Sequence, residues 1–186
     1  PLLVSQATYG PVNIPERLTV GSQQHKRPDK NCIINPNTPT GLNQVDKKIP
    51  NCTKLIKSGR YRGKPISKAS LKFYLGHRAQ AYFKKQKYDL ALTDVNKAIK
   101  MDAKYFQGYF LRAQIHYSMG LKESAITDYT KVIAIKPNWQ VFNNRANAHA
   151  KIGQKNKAIA DFRKSLAMNP SNHRTRKGLE RLGVTP

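Results

Sequence analysis

The stretch Arg78–Ala103, RAQAYFKKQKYDLALTDVNKAIKMDA, returns twice in the chain. Arg112–Pro137 reads RAQIHYSMGLKESAITDYTKVIAIKP, and Arg145–Pro170 reads RANAHAKIGQKNKAIADFRKSLAMNP. The starts lie 34 and then 33 residues apart. A fixed period of this size marks a solenoid, in which each unit buries its apolar face against the next. Each copy divides into two helical halves. In the first half, Ala79, Ala113 and Ala146 are small where two helices must approach closely, and Tyr82, His116 and His149 follow three residues later on the same face. In the second half, Ala91, Ala125 and Ala158 repeat the small residue, with Leu92, Ile126 and Ile159 beside them. Val95, Tyr129 and Phe162 come one turn further on. Gly120 and Gly153 mark the turns between halves, where the first copy has Gln86. Pro137 and Pro170 close the second and third copies, where the first has Ala103.

Small, aromatic and proline positions that recur together in this way resemble the tetratricopeptide repeat family, over about residues 72–170. The resemblance implies an all-α, right-handed α-solenoid of three antiparallel helix pairs. Its concave groove would bind peptides or protein surfaces, without catalysis. The repeats are expected at about 72–105, 106–138 and 139–170, within a domain covering 69–186.

Residues 43–58, NQVDKKIPNCTKLIKS, place Ile49, Cys52, Leu55 and Ile56 on one helical face. The run reads as the second half of a repeat without its first half, with Pro50 early in the helix, where it is tolerated. Residues 59–68 read as a basic loop, so 43–68 form a half-repeat helix and its linker. Residues 1–42 show no helical period and predict an irregular, extended N-terminal arm, with Leu2–Val4 and Leu18–Val20 as short apolar runs. After Pro170, Ser171 is placed to cap a helix over 171–182 that ends at Gly183 and covers the last apolar face.

The formal charge is +24, from 34 Lys+Arg against 10 Asp+Glu. Such an excess favours anionic partners, or serves only solubility. No stretch has the roughly 20 apolar residues that span a bilayer. Two cysteines, Cys32 and Cys52, lie outside the repeats. The even count fits a disulfide closing the arm onto the half-repeat helix; the alternative is two buried thiols in a cytoplasmic protein. The chain begins at Pro1 rather than Met, which predicts removal of an upstream segment. A Cys about twenty residues before NCTKLIKSG, followed at once by repeats, is similar to small exported bacterial repeat proteins. That resemblance implies a periplasmic or secreted chain after signal-peptide removal, with the cytoplasm as the alternative.

Arg78, Arg112 and Arg145 recur in the first halves, each 16 residues before Asp94, Asp128 and Asp161. An antiparallel helix pair predicts an ion pair bracing every repeat. His116 and His149 occupy equivalent places and lack a third metal ligand at suitable spacing, so they read as packing positions. Family geometry implies a concave face of Phe73, His77, Gln80 and Lys84; Gln107, Phe110, Gln114 and Tyr117; and Asn143, Asn144, Asn147 and Lys151. Amides there offer donors and acceptors to an extended main chain, and aromatics offer pockets. Chaperone-binding family members clamp a C-terminal carboxylate with Lys, Asn and Arg. Those places here hold Gly76, Gln80, Leu111, Gln140 and Asn144, so a co-chaperone role is not expected.

No nucleophile elbow, phosphate loop or paired metal-ligand motif is visible. The reading is therefore non-enzymatic, with no cofactor and no metal. The function expected is a protein–protein interaction scaffold, adaptor or accessory subunit of a cell-envelope assembly, with a partner of acidic surface. The alternative is a basic protein that binds an anionic polymer (nucleic acid, polysaccharide or anionic lipid) through its convex face and the basic loop Lys57–Lys68.

Overall fold

A computed structural model describes Cys32 and residues 41–185. Among these, eight helices and one small hairpin follow one another: α1 (Gly41–Ser58), β1 (Arg60–Tyr61), β2 (Lys64–Pro65), α2 (Lys68–Lys84), α3 (Tyr88–Met101), α4 (Phe106–Ser118), α5 (Lys122–Ile135), α6 (Trp139–Lys151), α7 (Lys155–Met168) and α8 (His173–Glu180). Successive helices pack as neighbours, and three antiparallel pairs, α2–α3, α4–α5 and α6–α7, form an all-α solenoid. The expected arm lies outside the described residues, apart from Cys32 and the start of α1.

The second helices bury one stripe each. In α3 it is Ala91, Asp94, Val95, Ala98 and Ile99. In α5 it is Ala125, Asp128, Tyr129 and Val132, and in α7 Ala158, Asp161, Phe162 and Ser165. The spacing of three and four is that of one helical face. The facing alanines Ala79, Ala113 and Ala146 are 0% exposed, so the paired helices meet without a side chain between them. Gly120 and Gly153 turn the chain at φ 87° and 75°. Gln86 takes the same turn at φ 58°, a left-handed conformation that suits glycine better.

The Arg–Asp pairs are bidentate. Arg78 Nε and Nη2 donate to Asp94 at 2.7 and 2.8 Å. Arg112 does so to Asp128 at 2.9 and 2.7 Å, and Arg145 to Asp161 at 2.7 and 2.8 Å. The carboxylates are nearly buried, at 4–5% side-chain exposure. The hydrogen bonds to Asp94 and Asp128 raise the basicity of Arg78 and Arg112. Each Arg also has a third arm that reaches the preceding second helix: Arg112 Nη1 to Asn96 at 2.7 Å and Arg145 Nη1 to Thr130 at 2.9 Å. Arg78 Nη1 reaches Thr53 of α1 at 2.9 Å. Thr53 therefore stands where Asn96 and Thr130 stand, and α1 takes the place of a second helix.

In that register Lys48, Cys52 and Leu55 of α1 match Ala91, Val95 and Ala98 of α3. No first helix precedes α1 among the described residues. Instead Cys32, 0% exposed, is bonded to Cys52 and packs with Leu55 and Tyr74. Helix α1 begins two residues earlier than expected, at Gly41, and Pro50 lies well inside it rather than at its start. The expected basic loop is a hairpin with Arg60 opposite Pro65 and Tyr61 opposite Lys64.

At the other end α8 is shorter than expected. It runs over His173–Glu180, and Asn172 rather than Ser171 caps it, accepting from the Thr175 amide. Gly178 lets α8 close on Phe162, where a Cβ would stand 2.5 Å from the ring. Thr175 joins a buried chain with Ser165 (3.1 Å) and Asn143 (3.0 Å).

Breaking a buried brace leaves an uncompensated charge. Arg112→Met is expected to lower unfolding stability by about 3–5 kcal/mol in urea titrations. Truncating Lys85, which pairs with Asp46 at the surface, is expected to cost less than about 1 kcal/mol.

Candidate functional site: the concave groove

The first helices α2, α4 and α6 line one face, and a cavity of about 340 Å³ opens between them. Its aromatic wall is Phe73 of α2 with Phe106 and Phe110 of α4. Its polar wall is made of amides: Gln80, Gln107, Gln114, Asn138 and Gln140. Lys136, at the end of α5, is its one lysine or arginine, and no carboxylate lines it. The Lys136 ammonium lies 5.0 Å from the centre of the Phe106 ring, a cation–π distance.

The floor of the cavity is set by Tyr105, at the entry to α4. Two glycines make room for it. A Cβ on Gly76 would stand 2.4 Å from the Tyr105 hydroxyl, and one on Gly108 would stand 2.6 Å from its ring. Burial, and then the charge of Asp102, push the phenol up to about 12. Repeat logic missed Tyr105, Phe106, Val132, Lys136 and Asn138, because they come from helix ends and links. The available signal was the pair of glycines within helices α2 and α4, Gly76 and Gly108, which no turn explains.

Of the expected groove residues, Phe73, His77, Gln80, Gln107, Phe110 and Gln114 meet in the cavity. The others do not line it. Asn143 is buried at 8% exposure and accepts from Thr175, because α8 closes over it. The Asn147 amide donates to the Asn143 carbonyl at 2.8 Å. The Tyr117 ring carries Lys122 at 3.6 Å. Lys84 and Lys151 are exposed beyond the cavity, and Asn144 is half-buried outside it. His116 Nδ1 lies 3.2 Å from Asp128, and His149 Nδ1 lies 2.7 Å from Gln154. Neither histidine gathers a metal set, since the described residues hold no group of three or more such ligands.

His77 sits in the cavity wall with its ring edge-on to Phe73 at 4.2 Å. Its Nδ1 is buried without a hydrogen-bond partner. Burial, and then the charge of Lys48, hold its pKa down at about 3 against an ordinary 6.5. The folded ring is therefore neutral at physiological pH, and the groove carries no imidazolium. Burial first, then Lys84, lower Lys48 itself to about 8.

A histidine depressed in the folded state binds its proton only in the unfolded chain. Stability therefore falls as pH drops below about 6.5, by up to about 1.4 kcal/mol per pH unit. In urea titrations from pH 7 to 5, His77→Gln is expected to show a flatter stability profile than the parent chain.

Family models of the tetratricopeptide repeat match residues 79–120, 106–138 and 139–172, together half of the chain. Serine/threonine-protein phosphatase 5 of Rattus norvegicus is 40% identical over 65 residues, which is 35% of this chain and 13% of that protein. The chain thus matches only a small part of that relative's length. Among solved structures, MamA aligns with TM-score 0.67 at 15% identity, over 79% of this chain and 81% of that one. The second TPR domain of human RPAP3, in complex with the HSP70 peptide SGPTIEEVD, aligns with TM-score 0.60 at 23% identity, over 63% of this chain and 98% of that domain. Repeat period, paired helices and family models agree: the chain belongs to the tetratricopeptide repeat family.

Proposed function

We propose that this protein is a non-enzymatic interaction scaffold or adaptor, and that its groove holds an extended peptide segment of a partner. The observation that carries the reading is the cavity of about 340 Å³, walled by three phenylalanines and five amides. The amides meet main-chain donors and acceptors whatever the partner's sequence, and the rings take a large apolar side chain. The RPAP3 domain, held with a peptide, supports this use of the face. The peptide class differs from that one. SGPTIEEVD ends in acidic residues and a carboxylate, whereas this groove has one lysine and neutral residues at Gly76, Gln80, Leu111, Gln140 and Asn144. An apolar, internal segment suits it better, and the cationic exterior draws partners with acidic surfaces.

The setting we propose is a cell-envelope assembly, with the chain exported to the periplasm or beyond. The pairing of Cys32 with Cys52 supports an oxidising compartment. Intact mass of native material is expected to rise by two hydrogens on reduction; free thiols would place the chain in the cytoplasm instead.

The groove is tested with a peptide array screened for binders, each then titrated against variants. Phe110→Ala is expected to weaken a groove binder by about tenfold or more, from the lost aromatic burial. Lys155→Ala, on the exposed side of α7, is expected to change nothing. Equal loss in both would overturn the groove as the site.

A further inference from the structure

The groove absorbs almost none of the positive charge, and the structure shows where the balance goes. Among the described residues, Asp46, Asp94, Asp102, Asp128 and Asp161 are held in ion pairs. Asp89, Glu123 and Glu180 make none. The sequence has no acid at all between Asp46 and Asp89. That interval contains the one insertion among the links between repeats. The chain passes from α3 to α4, and from α5 to α6, by short turns; from α1 to α2 it builds the β1–β2 hairpin.

The hairpin is held in place by its apolar residues and carries exposed cations. Tyr61 and Ile66 pack inward on the cluster of Cys32, Cys52, Leu55 and Tyr74. Gly59, Arg62 and Gly63 turn it at φ 61°, 50° and 77°. Positive φ at both central residues is the tight-hairpin turn, for which Asn-Gly is the usual pair; an arginine at the tip is an outlier. The Arg62 guanidinium lies over the Tyr61 ring at 5.4 Å, and Arg60 donates to the Gly63 carbonyl at 3.2 Å. Arg60, Arg62 and Lys64 are exposed, with Lys57 and Lys68 exposed on either side.

We infer that this hairpin is a second interaction surface, and that its partner is the phosphodiester backbone of a nucleic acid. The chemistry is a cluster of five exposed cations, two of them anchored, Arg60 on the Gly63 carbonyl and Arg62 on the Tyr61 ring, with no carboxylate in the segment. The hairpin exposes no large hydrophobic side chain. The core of a stable protein interface is depleted of charge, and a segment that inserts into a membrane presents an apolar face. A sequence-independent phosphate contact needs neither. The inference is independent of what fills the groove.

The test is fluorescence anisotropy of a labelled duplex of about 20 base pairs across a salt series. The triple variant Lys57→Gln/Arg62→Gln/Lys64→Gln leaves Arg60 and its bond to Gly63 in place. It is compared with Lys131→Gln/Lys155→Gln/Lys157→Gln, which removes the same charge elsewhere. The hairpin variant is expected to lose about tenfold or more in affinity at low salt. Its slope of log K against log salt is expected to fall by about three, with a clearly smaller change in the control. Circular dichroism melts of both variants show that each is folded. Equal loss in the two variants would mean a diffuse field and overturn the inference. So would no duplex binding at low salt, or binding to anionic phospholipid vesicles alone.

Discussion

The bidentate Arg–Asp brace holds this architecture together. A carboxylate nearly out of water is tolerable only with its guanidinium, and the fork of Arg matches the two oxygens. Two of its arms fix the antiparallel pairing within a repeat, through residues 16 apart in sequence. The third arm fixes the stacking of one repeat on the next, at Thr53, Asn96 and Thr130. Aromatic rings back each guanidinium, with Tyr82, Tyr109 and Phe142 at 5.8, 5.4 and 5.9 Å. The same geometry thus sets pairing and stacking. It also explains why α1 docks as the second helix of a repeat that has no first helix among the described residues.

The brace has an electrostatic consequence. It withdraws three carboxylates from the surface of a chain that has only 10 acids. The exterior is left cationic, while the groove is walled by rings and amides. Its one histidine in the wall, His77, is kept neutral by burial and by Lys48. Two chemistries therefore occupy two parts of the surface: a neutral groove suited to main chain and apolar side chains, and a cationic exterior that includes the hairpin.

The repeats were legible in the sequence because each position is written three times. Alanine at the crossing, Arg and Asp 16 apart and the turn glycines reinforce one another where any single copy is ambiguous. The groove was half legible. Phe73, His77, Gln80, Gln107, Phe110 and Gln114 follow from the family geometry that the resemblance implies. Tyr105 and Lys136 do not, since they enter from links whose path depends on the notches at Gly76 and Gly108. Asn143 was misplaced because α8, which has no counterpart in the repeat pattern, draws it into the Thr175–Ser165 network. Pro50 was misplaced because α1 begins at Gly41, nine residues before it, so the proline lies in the helix interior and not in its first turn. The hairpin was visible only as a basic loop, since two-residue strands carry too little pattern to read.

On the proposed reading, binding in the groove is neutral in character and separate from the exterior charge. The most direct measurement is two-dimensional amide NMR of the labelled chain, titrated with a peptide binder at low and at high salt. Shifts at Phe73, Gln80, Gln107, Phe110 and Gln114 are expected to keep their size and midpoint as salt rises. Shifts confined to Arg60–Lys64, or shifts in the groove that vanish at high salt, would contradict it.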